Sequence, residues 1–171
     1  MIDANAINSR QQSAALNQIE AWRASGAVQH LMSDAANREA RAGGDARREA
    51  KAGRQLIGIS HHDAAEQPLW NAFEKALFPK GARTSSQQND VEIVFQAHAW
   101  GYVLVTNDGN SRRQPGGILG AAAALSDLGV KVMRPEEFVE LTRVRIAKRD
   151  ERVRQNCAVT GTPLPDWLGQ D

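Results

Sequence analysis

The stretch "YVLVTNDGN", residues 102–110, decides how the fold of this chain is interpreted. Its first five residues form an unbroken apolar, aromatic and β-branched run, which is typical of a strand buried on both faces of a parallel sheet. The run leads directly into Asn107 and Asp108. Because ligands of open parallel sheets bind beyond the carboxyl ends of the strands, Asp108 becomes the first candidate for a functional residue.

Helical and strand patterns alternate on both sides of this stretch. Short loops between them predict an α/β fold with a parallel sheet covered on both faces. Gly43 and Gly44 interrupt the second predicted helix, so it is predicted to be kinked or divided. The further strands are predicted at 1–3, 27–33, 55–60 and 130–134. The helices are predicted from Ser9 to about Ser25, from Ser33 or Asp34 to 53, and over 67–78, 85–101, 116–129 and 135–155.

Composition sets further bounds on the chain. Its 171 residues are enough for one domain with a proper core, and its contents of 42% hydrophobic and 24% charged residues are ordinary for a soluble protein. The net charge of +1 leaves polyanion binding to local patches or to metal. The single cysteine, Cys157, indicates a reducing compartment. No signal peptide and no apolar run of about 18 residues is present, so we expect a cytoplasmic protein without a membrane span.

Three further carboxylates are candidates for the same site as Asp108. Asp3 ends the first predicted strand, Glu39 lies in the second predicted helix, and Asp90 opens the helix before "YVLVTND". That helix must pack against the strand that follows it, so its start can lie near the strand's end. Four converging carboxylates repel one another unless a cation is present, and such hard oxygen ligands suit Mg²⁺ or Mn²⁺. These ions serve phosphodiester hydrolysis in one-metal or two-metal form.

Four short motifs, in this order and spacing, resemble those of the PIN-domain ribonuclease family. "IDANAIN" resembles the first motif, with Asp3 and Asn5, and "SDAANREA" is similar to the second, with Glu39. "NDVEIVFQAHAWG" resembles the third motif, with Asp90, and "YVLVTND" the fourth, with Thr106, Asn107 and Asp108. The segment "GVKVMRPEEFVEL" resembles the family's closing strand and helix, so the likeness spans nearly residues 1–141.

The resemblance implies a three-layer α/β/α sandwich with a central parallel sheet. It implies a PIN-like nuclease domain over residues 1–145, followed by a helix extension and tail over 146–171. It also implies that Asp3, Glu39, Asp90 and Asp108 bind Mg²⁺ or Mn²⁺ and carry catalysis. Many members of the family are toxins that act beside an antitoxin, so an antitoxin partner and a homodimer are possible partners besides RNA.

Each candidate also has a plainer interpretation. Asp3 could be a surface residue at a frayed terminus, and Glu39 a solvated helix residue. Asp90 could be a charge that favours the helix dipole, with Glu92 as its rival, and Asp108 could cap the next segment or form an Asx-turn. Asn5 and Thr106 are predicted to orient carboxylates rather than to bind metal.

Basic and histidine residues were weighed in the same way. Arg112 and Arg113 follow Asp108 directly and are candidates for contacts to RNA phosphates, or else a solvated loop. The adjacent His61 and His62 are not predicted to bind a metal, because no third ligand is spaced to join them. The segment "REARAGGDARREAKAGR" is predicted to be a solvated face with intrahelical ion pairs.

The sequence therefore predicts a metal-dependent nuclease that hydrolyses phosphodiester bonds in RNA, in the manner of an endoribonuclease. Two alternatives stay open. The chain could be the toxin of a toxin–antitoxin pair, or a PIN-fold module that binds RNA or protein without cleaving it.

Overall fold

The protein has a mixed α/β fold that is mostly helical and has short parallel strands. The computed structural model describes residues 1–7, 11–58, 63–109, 112 and 115–171. A 3₁₀ turn at Ala4–Ala6 precedes the first helix. The helices are α1 (Ala14–Ser25), α2 (Asp34–Ala42), α3 (Ala46–Ala52), α4 (Gln67–Leu77), α5 (Ser85–Ala99), α6 (Gly117–Gly120), α7 (Ala122–Asp127) and α8 (Pro135–Thr160).

The strands pair in parallel, as predicted, but they are shorter than the apolar runs that contain them. They are β1 (Leu31–Ser33), β2 (Leu56–Gly58), β3 (Leu104–Val105) and β4 (Val132–Met133). β1 pairs with β2, and β3 pairs with β4. Ile2 forms parallel bridges to Met32 on one side and to Val105 on the other. Five parallel segments thus lie in the order β2, β1, residues 1–3, β3 and β4.

This order reverses direction once. From residues 1–3 the chain passes to β1 and then to β2, always outward on the same side. It then returns to the opposite side of residues 1–3, where β3 and β4 follow. Residues 1–3 and β3 therefore flank the point where the strand order reverses, which is where open α/β sheets bind their ligands.

Side-chain caps fix where several helices begin. The first helix begins at Ala14 rather than after Ser9, which corrects the predicted start. Ser13 caps it by accepting a hydrogen bond from the backbone N–H of Leu16 over 3.2 Å. Of the two predicted caps of α2, Ser33 and Asp34, the structure has Ser33, which accepts a hydrogen bond from the N–H of Ala36 over 3.0 Å.

Two predicted helices are divided. The segment with Gly43 and Gly44 forms α2 and α3 because Asp45 accepts from the backbone N–H groups of Arg47 and Arg48 and starts a new helix. The segment over 116–129, predicted as one helix, breaks at Ala121 into α6 and α7.

One hydrophobic core lies around the strands and is closed by α1, α5 and α8. Its buried strand residues include Met32 and Leu104, and Ile2 of the central segment is buried beside them. Phe73 of α4 meets Phe95 of α5 edge to face, with ring centroids 6.4 Å apart. α5 also packs against β1 and α2.

α8 packs against α1 and runs unbroken across residue 145, while the predicted domain division there stays a prediction. The tail folds back onto α8, where the guanidinium of Arg149 lies 4.7 Å from the ring centroid of Trp167. Arg149 also pairs with Asp171 over 2.6 Å. Within the described ranges, no helix is both long and apolar enough to cross a membrane.

Candidate active site

Asp3 is a buried carboxylate at the end of the central segment, with 2% of its surface exposed. Its Oδ1 accepts a hydrogen bond from the backbone N–H of Ala4, and so starts the 3₁₀ turn. Its Oδ2 accepts from Thr106 Oγ1 over 2.8 Å and from Asn5 Nδ2 over 3.3 Å. These donors hold the carboxylate in one orientation, so Asp3 is not a surface residue of a frayed terminus.

Thr106 connects Asp3 to Asp108. The Thr106 hydroxyl donates to Asp3 and accepts from the backbone N–H of Asp108 over 2.9 Å. Oδ2 of Asp108 accepts from the backbone N–H of Ile118 over 2.8 Å, so this carboxylate also anchors the start of α6. The backbone approaches closely here, because a Cβ on Gly117 would lie 2.5 Å from Asp108 Oδ2.

Asp90 lies in the second turn of α5, partly buried. Among the described residues, none donates a hydrogen bond to its carboxylate. Its rival Glu92 is engaged elsewhere, since its two oxygens accept from Arg38 over 3.3 Å and from Gln96 over 3.0 Å. Asp90 is therefore the acidic residue of α5 that faces the other candidates.

Glu39 lies in α2, and its Oε1 accepts a hydrogen bond from Asn89 Nδ2 over 2.8 Å. Asn89 directly precedes Asp90 on α5. The hydrogen bond therefore ties the second and third motifs to one another across two helices. Glu39 is thus not a solvated helix residue without a partner.

The four carboxylates act on one another, and we call Asp3, Glu39, Asp90 and Asp108 the acidic cluster. Burial, followed by the negative charges of Asp108, Asp3 and Glu39, raises the pKa of Asp90 to about 7. Burial also raises the pKa of Asp3, and Glu39 and Asp108 add to this rise, while the hydrogen bonds from Thr106 and Ala4 oppose it. The structure thus brings all four predicted residues into one electrostatic neighbourhood.

The cluster lies at the reversal point of the strand order. Asp3 ends the central segment, and Asp108 follows β3, so these two residues stand on either side of that point. Asp90 and Glu39 come from the helices that precede β3 and follow β1. The location agrees with the general position of ligands in open α/β sheets.

The acidic cluster offers the oxygen ligands that suit a hard cation, but its side chains are not spaced to bind one ion. All four side chains offer carboxylate oxygens, the donors that Mg²⁺ and Mn²⁺ prefer, and their mutual repulsion is the energy that a cation would relieve. As the side chains stand, the described part of the chain holds no group of three His, Cys, Asp or Glu residues placed to bind one ion. Binding would therefore have to draw the carboxylates together.

The remaining predicted residues divide into three kinds. Asn5 and Thr106 both donate to Asp3, as expected of residues that orient a carboxylate. Arg112 is exposed. Arg113, together with His61 and His62, lies outside the described residues.

The predicted ion pairs within the basic helices are found in part: Arg38 pairs with Asp34 of the same helix, α2, but other pairs join different helices. Lys51 of α3 pairs with Glu20 of α1 over 2.7 Å, and Arg38 of α2 pairs with Glu92 of α5, so these ion pairs join different helices. Long side chains reach neighbouring helices that a single-helix pattern does not reveal.

Sequence reasoning missed two groups beside the cluster. Asn89 was not singled out, although its position next to Asp90 in the third motif was a usable signal. Arg48 was taken as part of a solvated face, yet its Nη2 donates to the carbonyl oxygen of Ala4 over 2.7 Å. Its Nε is buried and has no hydrogen-bond partner in the described part of the structure. No sequence signal pointed to Arg48.

No family model, curated protein or solved structure matches this chain. Function is therefore inferred from the geometry and electrostatics of the acidic cluster and from the motifs in the sequence.

Proposed function

We propose that the chain is a PIN-like, metal-dependent nuclease that hydrolyses phosphodiester bonds in RNA. The observation that carries the proposal is a set of side-chain hydrogen bonds: Thr106 joins Asp3 to Asp108, and Asn89, the neighbour of Asp90, donates to Glu39. The raised pKa of Asp90, caused by burial and then by Asp108, Asp3 and Glu39, supports it. Four acids predicted from separate motifs are the same four that act on one another.

The proposal includes the finer architecture implied by the resemblance, a three-layer sandwich with a central parallel sheet. The row of five parallel segments supports it. Helices that precede and follow these segments supply Asp90 and Glu39, as such an architecture requires.

Asp3, Glu39, Asp90 and Asp108 would together hold the cation. Mg²⁺ or Mn²⁺ bound there would supply Lewis-acid stabilisation of the phosphate and activation of the attacking water. Thr106 keeps Asp3 and the backbone of Asp108 in a fixed relation, and Asn89 restrains Glu39. One carboxylate of the cluster would accept the proton of the attacking water.

The test is incubation of the purified chain with structured and unstructured RNA, with Mn²⁺ and with chelator. We expect cleavage with Mn²⁺ and none with chelator. Asp90→Asn is expected to abolish cleavage. Glu92→Gln, on the same helix, is the matched control and is expected to stay active, because Glu92 is engaged with Arg38 and Gln96.

Full cleavage in chelator, or an active Asp90→Asn variant, would overturn the proposal. A chain that Mn²⁺ stabilises against heat but that cleaves no RNA would instead be the non-cleaving module. An antitoxin partner and a homodimer stay predictions from the resemblance.

A further inference from the structure

A groove with an apolar floor and a cationic rim lies where α4 ends and α5 begins. Its volume is about 520 Å³, within the roughly 300–1,000 Å³ of small-molecule sites. Leu77, Phe78 and Pro79 supply apolar surface, and Lys80 and Arg83 supply positive charge. This combination suits a ligand that has both a flat apolar part and a phosphate.

The loop that forms the groove is held by its own hydrogen bonds. The backbone N–H of Gly81 donates to the carbonyl of Phe78 over 2.8 Å, and Gly81 adopts a φ of +80°, which favours glycine. The carboxylate of Glu74, the acidic group beside the loop, accepts from the N–H of Ala82 over 2.8 Å. The groove is therefore preformed, and Glu74 is engaged in holding it.

The two cations on the rim are available to a ligand. Lys80 and Arg83 are exposed, and within the described ranges neither takes part in an ion pair. The first turn of α5 is closed by a capping box between Thr84 and Gln87, so the attraction for phosphate comes from the two side chains.

The groove and the acidic cluster share helix α5. Gln87 lines the groove, and Asp90 lies three residues further on α5, one turn away on nearly the same face. The rise between them along the helix is about 4.5 Å. The Gln87 end of the groove therefore lies about one helical turn from Asp90.

We propose that this groove binds the unpaired strand of RNA that flanks the cleaved phosphate. Lys80 and Arg83 contact phosphates, and Phe78 with Pro79 provides the surface on which one base lies. Unpaired strands are bound elsewhere by the same pairing of cationic grooves with aromatic surfaces. The proposal rests on the proposed function, and it names the form of the substrate.

Binding is measured separately from cleavage. The probe is a short fluorescein-labelled single-stranded RNA, and anisotropy is recorded in chelator over a range of salt concentrations. Lys80→Ala with Arg83→Ala is compared with the unchanged chain. The matched control is Lys148→Ala with Arg152→Ala, which removes one lysine and one arginine from the exposed face of α8. Thermal melts verify that each variant is folded.

The salt dependence gives the decisive number. Loss of two phosphate contacts is expected to reduce the slope of log K against log salt by about 1.4, and affinity at moderate salt on the order of tenfold. The control variant is expected to bind as the unchanged chain does. The substitutions at Lys80 and Arg83 are expected to reduce the affinity for an RNA duplex of the same sequence by a smaller factor.

Equal affinity and slope in the Lys80 and Arg83 variant would overturn the inference, and so would an equal loss in the control variant. An equal loss with duplex would overturn the assignment to unpaired RNA. Because these measurements need neither metal nor cleavage, a chain that binds through the groove but cuts nothing would contradict the nuclease proposal alone.

Discussion

Asn89 donates a hydrogen bond from Nδ2 to Oε1 of Glu39 over 2.8 Å, and so joins α5 to α2 beside the acidic cluster. The donor belongs to the residue before Asp90. One turn of α5 therefore carries the carboxylate of Asp90 and also holds the carboxylate of Glu39 through the side-chain amide of Asn89.

Replacing Asn89 with Ala is expected to weaken Mn²⁺ binding by about 10- to 100-fold, the usual effect of losing a partner that orients a metal-binding carboxylate. Titration of Mn²⁺ followed by electron paramagnetic resonance measures the dissociation constant directly. The exposed neighbour Gln88, changed to Ala, is the control and should bind Mn²⁺ normally. Equal dissociation constants for all three proteins would mean that the hydrogen bond does not prepare Glu39 for metal.

Asp90→Asn is expected to stabilise the metal-free protein. The pKa of Asp90 is about 7 in the folded protein and 3.8 in a solvated chain. The free energy of unfolding of the wild type therefore falls as pH rises from about 4 to 7, because the folded protein gives up its proton less readily. At pH 8 the variant should gain about 2 kcal/mol after allowance for solvent screening, or about 4–8 °C in Tm.

The advantage of Asp90→Asn should shrink on going from pH 8 to pH 5, where Asp90 of the wild type takes up a proton. Melting curves in chelator at several pH values measure the difference between the two proteins. Burial lowers the pKa of His30 to about 4, which gives an opposite pH dependence, but His30 is present in both proteins and cancels. A difference that does not change with pH would argue against a raised pKa at Asp90.

Thr106→Val is expected to lower the free energy of unfolding by about 1–3 kcal/mol, because it removes the hydroxyl that donates to Asp3 and accepts from the N–H of Asp108. Thr106 is fully buried, so water cannot replace these bonds without rearrangement. Thr106→Val is also expected to lose cleavage, whereas Thr106→Ser keeps the hydroxyl and should keep cleavage. Urea unfolding and RNA cleavage are measured for both variants, and equal behaviour of the two would show that the hydroxyl is unimportant.

Gly117→Ala is expected to reduce cleavage strongly, since the new Cβ would lie 2.5 Å from Asp108 Oδ2 and would displace that carboxylate. Gly161→Ala is the matched control. Both glycines have a left-handed φ, +72° and +68°, and both variants bear the same strain of about 1–2 kcal/mol, but the space around Gly161 is open. A cleavage assay in which the two variants lose activity equally would show that strain alone, and not displacement of Asp108, is responsible.

The stabilising substitution in these experiments is Asp90→Asn rather than Asp108→Asn for a structural reason. By sequence, Asp108 is the acid most directly aimed at the site. In the structure its Oδ2 accepts a hydrogen bond from the N–H of Ile118. Asp108→Asn would therefore remove the repulsion between carboxylates, which stabilises the fold, but would also weaken a charge-assisted hydrogen bond, which destabilises it. Asp90 has no such donor in the described structure, so its substitution relieves the burial of a charged carboxylate and its repulsion by the other acids without loss of a hydrogen bond.

Position along the chain predicted much of this arrangement. Strand-end and helix-start positions were enough to place Asp3, Asp90 and Asp108 together, because a helix must pack back on the strand that follows it. The cap at Ser33 and the break at Gly43 and Gly44 also followed from local rules.

Other features depend on contacts between distant segments and could not be predicted from local patterns. The hydrogen bond from Asn89 to Glu39 spans 50 residues, and that from Arg48 to Ala4 spans 44. Strand length also depends on distant segments. The run "YVLVT" is apolar throughout, but only Leu104–Val105 pairs with β4. Apolar periodicity reports burial, whereas ladder length depends on neighbours that the periodicity does not name.

The two bridges of Ile2 have a consequence for the order of events during synthesis. Residues 1–3 join β1 and β2, near Glu39, to β3 and β4, near Asp90 and Asp108. A growing chain that already carries Asp3 and Glu39 must wait for about 65 further residues before Val105 can pair beside Ile2, and such distant pairings form late. An incomplete chain on the ribosome therefore holds half of the carboxylates and cannot assemble the cluster, however close it stands to RNA.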